Sequence, residues 1–219
     1  MEHFGVKMIK RKYSLNLKKE EFALINTKPS LPRSEGLIKK NAYTNDSGNE
    51  YRKEWCEEYR ELCLRNYDLN MKYFSLLDNT EFNNVVTEFL NNNSKFCEIN
   101  SLLDYEGVCG YYMMILDEYK QVYIGKSNNI KKRIQQHWST TKAFDRTLFP
   151  MYAVNKSCFS VDFFRALDTT RLFVWKRSLS NGVEEKLIRE FPKEYCLNRI
   201  GGDVSTAIAA LSTWNKRDL

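Results

Sequence analysis

The feature that most constrains the fold is an aromatic and apolar tract over residues 105–125 that charged residues interrupt once. It reads YEGVCGYYMMILDEYKQVYIG, which is typical of two short strands joined by a polar connection at DEYKQ, and it predicts a β-hairpin. Further strand-like and helix-like patterns follow this tract. Their order predicts an α+β fold, with a small antiparallel sheet flanked by helices.

The predicted elements after the hairpin are, in chain order, a helix over 127–138, strands over 158–167 and 171–175, and a helix over 181–191. Ser127 is the expected N-cap of the first helix, and Pro192 is expected to end the second. In the first of these strands, Phe159, Val161 and Phe163 alternate with other residues, which indicates one face of a strand.

These elements form a predicted domain over residues 105–202, and the rest of the chain divides into three regions around it. Residues 1–49 are expected to be an N-terminal arm and a linker, because prolines, glycines and polar residues cluster towards their end. Residues 50–104 are predicted to be a helical accessory region, and 203–219 a C-terminal helix. Residues at helical spacing in the accessory region are Trp55, Tyr59 and Leu62, then Phe82, Val85, Val86, Phe89 and Leu90, with Asn79 or Thr80 as the cap of the second helix.

The composition is that of a globular protein. Hydrophobic residues make up 42% of the chain and aromatic residues 14%, which argues against a disordered protein. No apolar run approaches the length of a membrane span and no signal-peptide pattern is visible, so we expect a cytoplasmic protein without membrane contact. The net charge of +6 fits a polyanionic partner.

The cysteines and histidines do not have the spacing of a zinc site. None of the six cysteines belongs to a CxxC pair, and the chain has two histidines, His3 and His137. A disulfide framework is not expected in a chain of this length without secretion. We expect all six thiols to be buried or partly buried.

A basic pair lies on the helix predicted directly after the hairpin. Arg133 and His137 are four residues apart, so they share a face with Ile130 and Ile134. A guanidinium and an imidazole at the edge of a buried stripe need partners. An anionic ligand would supply one.

The last predicted helix of the domain carries two adjacent carboxylates in different positions. Glu184 shares its face with Leu187 and Phe191, whereas Glu185 points about 100° away and is placed to pair with Arg189. A carboxylate on the apolar side must be compensated by a cation, a hydrogen-bond network or a metal ion. The alternative for Glu184 is a structural salt bridge to an arginine at the edge of the core.

At these positions the sequence resembles the GIY-YIG nuclease family. GYY at 110–112 and YIG at 123–125 look like the two halves of the family signature, with tyrosine in place of isoleucine in the first. Arg133, His137, the E-x-x-L-I pattern that starts at Glu184, and Asn198 follow in the family's order. The middle residue of GYY points away from its two neighbours on a strand, so its replacement should matter little.

The resemblance implies roles for the hairpin and for the helix after it. Tyr112 and Tyr123 would project into an active site, where the first would act as a base or as a hydroxyl that positions water; otherwise both are core aromatics. A free phenol has a pKa near about 10, so a base at neutral pH needs a nearby cation or metal. Arg133 would grip the scissile phosphate, unless it is an ordinary surface arginine. His137 would orient or deprotonate the attacking water, or else cap its helix.

The resemblance further implies a single divalent cation bound by Glu184, Mg²⁺ with Mn²⁺ as a substitute. A hard ion held by one carboxylate keeps several waters and takes phosphate oxygens as further ligands. Asn198 would hold the site together by hydrogen bonding, unless it is a loop asparagine.

The resemblance also implies substrate-binding roles for Gly125, Lys126, Lys132 and Arg171. Gly125 would allow a strand and a helix to approach closely, or is a turn glycine. The two lysines would contact phosphate or remain solvated. Arg171 shares a tract with Arg165 and Asp168, and these charged residues contact substrate or pair with one another.

With this resemblance, the sequence predicts a metal-dependent endonuclease that hydrolyses nucleic-acid phosphodiester bonds, most simply those of double-stranded DNA, by in-line attack of water. One alternative is a non-catalytic nucleic-acid-binding protein that keeps the fold. Another is a protein-interaction role for the aromatic region 50–104. The nuclease interpretation requires Glu184 and Arg133, from two separate helices, to converge beside the paired phenols.

Overall fold

The computed structural model describes residues 1–8, 15–30, 43–149, 151 and 154–198. Its strands are β1 (Glu2–His3), β2 (Val6–Lys7), β3 (Cys97–Ile99), β4 (Gly110–Leu116), β5 (Gln121–Ser127) and β6 (Arg171–Lys176). Its α-helices are α1 (Lys53–Leu76), α2 (Asn79–Asn92), α3 (Ile130–Ser139) and α4 (Val183–Glu190). None of the helices in these ranges is long and apolar enough to cross a membrane. The helix predicted over 203–219 lies outside the described residues.

Four of the strands form one antiparallel sheet. Its strand order is β3-β6-β4-β5, and every neighbouring pair is antiparallel. β4 and β5 are the predicted hairpin, joined by a turn over Asp117–Tyr119 and by Lys120, whose backbone is left-handed. β6 is the strand predicted over 171–175. The α+β prediction is therefore confirmed.

Each face of the sheet is covered by helices, and β4 is buried along its whole length. Its even-numbered residues, such as Tyr112, face a first core that α1 and α3 share. Its odd-numbered residues, such as Tyr111, face a second core with α2 and α4. The middle residue of GYY therefore points away from Tyr112, as predicted.

The N-terminal residues pack into the first core. Val6 and Phe22 are buried there. Trp55 stacks between Tyr51 and Tyr59, with ring centroids 4.3 and 4.8 Å away. The aromatic face of α1 thus packs against the chain's own side chains. The division of residues 1–104 into an arm and an accessory region stays a prediction.

Helix starts differ from those predicted. Asp78, not Asn79 or Thr80, caps α2, and its carboxylate accepts a main-chain N–H of the first turn at 2.7 Å. Asn129, not Ser127, caps α3 in the same way at 3.0 Å. The reason is that Ser127 is still the last residue of β5.

The prediction of a strand over 158–167 is wrong. The segment forms two 3₁₀ turns, Val161–Phe163 and Ala166–Asp168. The Ser160 side chain accepts the main-chain N–H of Asp162, so the segment satisfies its backbone locally and does not pair with the sheet. The alternating apolar residues are buried, but so are most of their neighbours, and the burial is therefore not that of a strand with one covered face.

The sequence does not predict β3, which lies in the region expected to be helical. Three residues are too few to show a period of two, and β3 is placed by its pairing with β6. Cys97, its first residue, is exposed, so the expectation for the thiols is wrong there. The other five cysteines are buried or partly buried.

The outer edge of β5 is held by the segment that follows α4. Cys196 forms a parallel bridge with Val122. The Asn198 side chain donates to the carbonyl of Ile124 at 2.7 Å and accepts from its N–H at 3.0 Å. The Asn198 amide therefore takes the place of a neighbouring strand at this point of the edge.

Replacing Asn198 by alanine should lower the free energy of unfolding by about 1–3 kcal/mol, because a buried N–H and carbonyl of Ile124 lose their partner. Urea denaturation followed by circular dichroism measures the change. Asn91→Ala, at an exposed position of α2, is the control and should unfold close to wild type. An unchanged denaturation midpoint in Asn198→Ala would show that the amide does not support the strand.

Candidate active site

Two tyrosines of the hairpin lie on the same face of the sheet. Tyr112 pairs with Gly125 and Met114 pairs with Tyr123, so the phenols are diagonal neighbours across the ladder. Their ring centroids are 6.2 Å apart. Tyr112 has 0% exposed surface, whereas Tyr123 is partly exposed. Tyr123 is thus the phenol of the pair that solvent reaches.

Gly125 leaves the space that the Tyr112 phenol fills. A Cβ atom on Gly125 would lie 2.5 Å from the Tyr112 hydroxyl oxygen and 2.5 Å from its Cζ, far inside van der Waals contact. The close approach is therefore between a side chain of β4 and the main chain of β5. The predicted approach of a strand and a helix is not the reason for this glycine.

α3 buries one residue of its basic pair and exposes the other. His137 belongs to the buried stripe of the helix and is 2% exposed. Arg133, one turn earlier, is exposed. Burial raises the pKa of Tyr112 well above its ordinary value and that of Tyr123 to about 12, and the positive charge of Arg133 opposes both shifts.

The His137 imidazole is hydrogen-bonded at both nitrogens. Nε2 lies 2.8 Å from the Tyr112 hydroxyl, and Nδ1 lies 2.8 Å from Oδ1 of Asp162. Burial lowers the pKa of His137, and the hydrogen bond with Asp162 opposes that shift. Since both nitrogens have protein partners, the structure does not offer His137 to an attacking water. Its effect on chemistry passes through Tyr112.

Asp162 is a residue of this cluster that the sequence does not single out. Burial alone would raise the pKa of its carboxyl, but the hydrogen bond from His137 and the charge of Lys142 hold that pKa well below its usual range. The Lys142 Nζ lies 3.4 Å from Oδ2. The one signal in the sequence is an acid in the middle of the apolar run CFSVDFF.

The two adjacent carboxylates of α4 have different environments, as predicted. Glu184 is 8% exposed, and its Oε2 lies 3.5 Å from Nζ of Lys126 on β5. Glu185 pairs with Arg189 on the surface at 2.5 Å. A lysine of the hairpin thus compensates the charge of Glu184.

Arg133 and Glu184 act on the same two hydroxyls, although α3 and α4 pack on opposite faces of the sheet. Besides burial, the negative charge of Glu184 raises the pKa of both Tyr112 and Tyr123, and the positive charge of Arg133 lowers both. Both charges therefore reach the phenols electrostatically. The direct convergence of Arg133 and Glu184 that the nuclease interpretation requires stays a prediction.

Three of the predicted residues stand apart from this cluster. Arg171 lies on the opposite face of the sheet at the turn of the hairpin, where its guanidinium pairs with the carboxylate of Asp117 at 2.5 and 3.1 Å. The structure therefore does not bring Arg171 to the site. Asn198 contacts the main chain of Ile124, as described above, and Lys132 is exposed on α3.

The other charged residues of the tract before β6 brace loops. The Arg165 guanidinium donates to the main-chain carbonyls of Thr140 and Asp162. The Asp168 carboxylate accepts the main-chain N–H groups of Leu17 and Arg165. Neither contact is the side-chain pairing or the substrate contact expected from the sequence.

A divalent metal ion would take the carboxylate of Glu184, because that of Asp162 is already held by His137 and Lys142. Within the ranges that the structure describes, no three His, Cys, Asp or Glu side chains cluster. A single hard oxygen donor fits Mg²⁺, which keeps most of its waters and takes further oxygens from phosphate. Lys126 now contacts that carboxylate and would have to move aside.

Comparison with known families agrees with this geometry. A family model, the GIY-YIG catalytic domain, matches residues 108–194. The matched residues, less than half of the chain, are thus similar to a GIY-YIG catalytic domain. The match lies inside the predicted range 105–202 and ends before Asn198. No curated protein and no solved structure matches the chain.

GIY-YIG domains belong to a family of nucleases that act on nucleic acid and generally depend on a divalent metal. In this chain the two tyrosines, Arg133, His137 and Glu184 all lie inside the matched residues. The departure from the signature is Tyr111, which lies in the second core. Its hydroxyl donates to the carbonyl of Ser180 and accepts from its N–H, so the extra polar atom is satisfied.

Gly125→Ala should lower the free energy of unfolding of the protein by about 1–3 kcal/mol, because the added methyl group overlaps the Tyr112 ring. A double-mutant cycle with Tyr112→Leu, followed by urea denaturation, isolates that overlap. The destabilisation by Gly125→Ala should shrink once the ring is gone. An equal destabilisation in both backgrounds would contradict the contact.

Proposed function

We propose that this chain is an endonuclease that hydrolyses phosphodiester bonds, with double-stranded DNA as its substrate. The observation that carries the proposal is the pair of hairpin phenols on one face of the sheet, with Tyr112 hydrogen-bonded to His137 of α3 and with Glu184 of α4 held 3.5 Å from Lys126 of β5. Such a site offers a cation for phosphate, a carboxylate for a metal and hydroxyls for water within one small area. Membership of a nuclease family supports the same conclusion.

Arg133 is the residue we propose to bind the scissile phosphate. Its guanidinium is exposed, and the fork of N–H donors matches two phosphate oxygens. A donor that is already in place where negative charge develops stabilises the transition state without reorganisation. Lys126, one residue after the signature glycine, would turn from Glu184 to a neighbouring phosphate.

The tyrosines are proposed to orient the attacking water rather than to act as general bases. The pKa of Tyr123, raised by burial to about 12 despite the charge of Arg133, keeps its hydroxyl protonated at neutral pH. Tyr123 is partly exposed and would contact the water, with Tyr112 behind it. Water then attacks phosphorus in line, and the bond from phosphorus to the leaving oxygen breaks.

Glu184 is proposed to hold the divalent metal, Mg²⁺ or Mn²⁺ in its place. When bound, the ion would polarise phosphate oxygens as a Lewis acid. Before that, the contact with Lys126 holds the Glu184 carboxylate beside β5. We propose a single ion, because Glu184 is the one carboxylate among the described residues that pairs with this lysine of the hairpin.

Glu184→Ala should reduce Mg²⁺-dependent cleavage of plasmid DNA by about 100-fold or more, the scale of losing one electrostatic stabiliser of the transition state, while DNA binding persists. Gel electrophoresis of plasmid incubated with the protein, with and without chelator, measures cleavage. Glu185→Ala, at the neighbouring surface carboxylate, is the matched control and should cleave as wild type does. Full cleavage by Glu184→Ala would remove the basis of the proposed function.

The same assay distinguishes a nuclease from the alternative, a non-catalytic nucleic-acid-binding protein. Wild type that binds DNA but does not cut it with Mg²⁺ or Mn²⁺ would favour that alternative. The arrangement of the site supports cleavage instead, because each position that the signature assigns to chemistry carries a suitable side chain.

A row of cations at one end of the sheet supports a nucleic-acid partner. Gly110 of β4 pairs with both Ser127 of β5 and Lys176 of β6, so the ends of those two strands flank the start of β4. The Arg177 guanidinium carbon lies 4.9 Å from the ring centre of Trp175. We call Lys95, Lys126, Lys132, Arg133, Lys176 and Arg177 the basic edge.

The basic edge is suited to the sugar–phosphate backbone. Lys176 and Arg177 are exposed, and neither forms an ion pair within the part of the chain that the structure describes. Lys176 Nζ lies 4.6 Å from the ring centre of Tyr105. This contact holds the ammonium group near the end of the sheet. A backbone that crosses this edge would reach Arg133 and Tyr123, because the edge ends at α3.

The double variant Lys176→Gln and Arg177→Gln should bind duplex DNA more weakly and with a shallower salt dependence. The log–log slope should fall by about 1 for each phosphate that the protein no longer neutralises. Fluorescence anisotropy across a salt series, in a Glu184→Ala background with chelator, measures both. The control is the double variant Lys53→Gln and Lys186→Gln, which removes the same charge from lysines that pair with glutamates on helices. Equal slopes for the two double variants would contradict DNA binding at the basic edge.

A further inference from the structure

The hydrogen bonds around His137 have a direction that the chemistry of their end groups decides. At one end, Oδ1 of Asp162 lies 2.8 Å from Nδ1 of His137. An ionised carboxylate has no hydrogen to donate, so Nδ1 must carry the hydrogen of this bond. A neutral imidazole with its hydrogen on Nδ1 has Nε2 as an acceptor, and the Tyr112 hydroxyl, 2.8 Å away, then donates to it.

The charge of Arg133 favours the same direction. Arg133 lies one turn before His137 on α3, and its positive charge lowers the pKa of Tyr112 against the rise that burial causes. A nearby cation favours a hydroxyl whose oxygen faces the charge and whose hydrogen points away from it. The hydrogen of Tyr112 then points to Nε2 of His137.

We propose that Asp162 is a positioning residue of the nuclease site, which fixes the chain of hydrogen bonds from Tyr112 through His137 to its own carboxylate. The proposal rests on the proposed function and names a residue outside the signature. Hydrogen bonds that all point the same way polarise one another. Asp162 thereby orients the Tyr112 hydroxyl beside Tyr123, the phenol proposed to contact the attacking water.

Asp162 itself is firmly placed. Its second oxygen lies 3.4 Å from the Lys142 ammonium and 3.4 Å from the Ser160 hydroxyl. Its main-chain carbonyl accepts from the Arg165 guanidinium at 3.0 Å. Its neighbours Val161 and Phe163 are buried in the first core. The carboxylate is thus held from several sides, as expected for a group that orients another.

Replacing Asp162 by asparagine should reverse the direction of the chain of hydrogen bonds. Lys142 has three donors and no acceptor, so the amide oxygen should turn towards it and the NH₂ group towards His137. Nδ1 then becomes an acceptor, and the hydrogen moves to Nε2. The Nε2–H group would donate to the Tyr112 oxygen and turn the hydroxyl hydrogen of Tyr112 away from His137.

Nitrogen-15 NMR of the histidine rings in the full chain reads this direction without any ligand. The protein has two histidines, and the second is an internal control. Nε2 of His3 lies 2.9 Å from the carbonyl oxygen of Thr169, so His3 should carry its hydrogen on Nε2 in every variant. His137 should carry its hydrogen on Nδ1 in wild type and on Nε2 in Asp162→Asn. A wild-type His137 with its hydrogen on Nε2 would overturn the proposal.

Cleavage is the second readout. Asp162→Asn should cut plasmid about 10- to 100-fold more slowly in Mg²⁺, the usual effect of removing a partner that orients a site residue, and should bind DNA as wild type does. Asp162→Ala, in which water can take the place of the carboxylate, is a second variant with the same expected direction. Asp46→Asn, at an exposed carboxylate far along the chain, is the control. Cleavage at the wild-type rate by both Asp162 variants would show that Asp162 positions nothing.

Failure of the proposed function gives a different pattern. If wild type neither cuts nor binds nucleic acid while His137 carries its hydrogen on Nδ1, the nuclease assignment fails and with it the catalytic meaning of the chain of hydrogen bonds. If wild type cuts and His137 carries its hydrogen on Nε2, the nuclease assignment survives and the role of Asp162 is refuted.

Discussion

The pairing of β4 with β5 is the constraint on which the site depends. Its register places Tyr112 opposite Gly125 and Met114 opposite Tyr123, which brings both phenols to one face of the sheet. If either strand slipped by one residue along the other, its tyrosine would point to the other face of the sheet. Because Gly125 has no side chain, the Tyr112 ring can lie flat against the neighbouring strand, within reach of His137.

Around this hairpin the polar groups form an inner and an outer layer. The inner groups, Tyr112, His137 and Asp162, satisfy one another, which is what a buried polar cluster needs if it is not to destabilise the fold by several kcal/mol. The outer groups are Arg133, which is exposed, and Tyr123, which is partly exposed. Tyr112 and His137 are buried, so their effect on chemistry passes through the outer groups.

The sequence predicts the parts of the molecule that have a period or a motif. The hairpin, β6, the apolar face of α4 and the different environments of Glu184 and Glu185 all follow from spacing within a few residues. What it does not predict depends on contacts between distant segments. β3 exists because β6 lies beside it, and Asp162 belongs to the site because a turn brings it to a histidine 25 residues away in the chain. The ion pair of Arg171 is missed for the same reason, since its partner Asp117 lies in the hairpin turn, 54 residues away in the chain.

The segment that carries Asp162 also links the site to the N-terminal part of the chain. The main-chain N–H of Leu17 donates to the Asp168 carboxylate, and Leu15 accepts from the N–H of Leu167. Phe22 packs on Phe163, with ring centroids 4.7 Å apart. These contacts fix a loop that has no strand partner of its own. The N-terminal residues therefore support the geometry at His137 through packing, although none of them lies in the signature. A catalytic module cut out at its motif boundaries would lose that support, because its first core would be open where Phe22 and α1 now cover it.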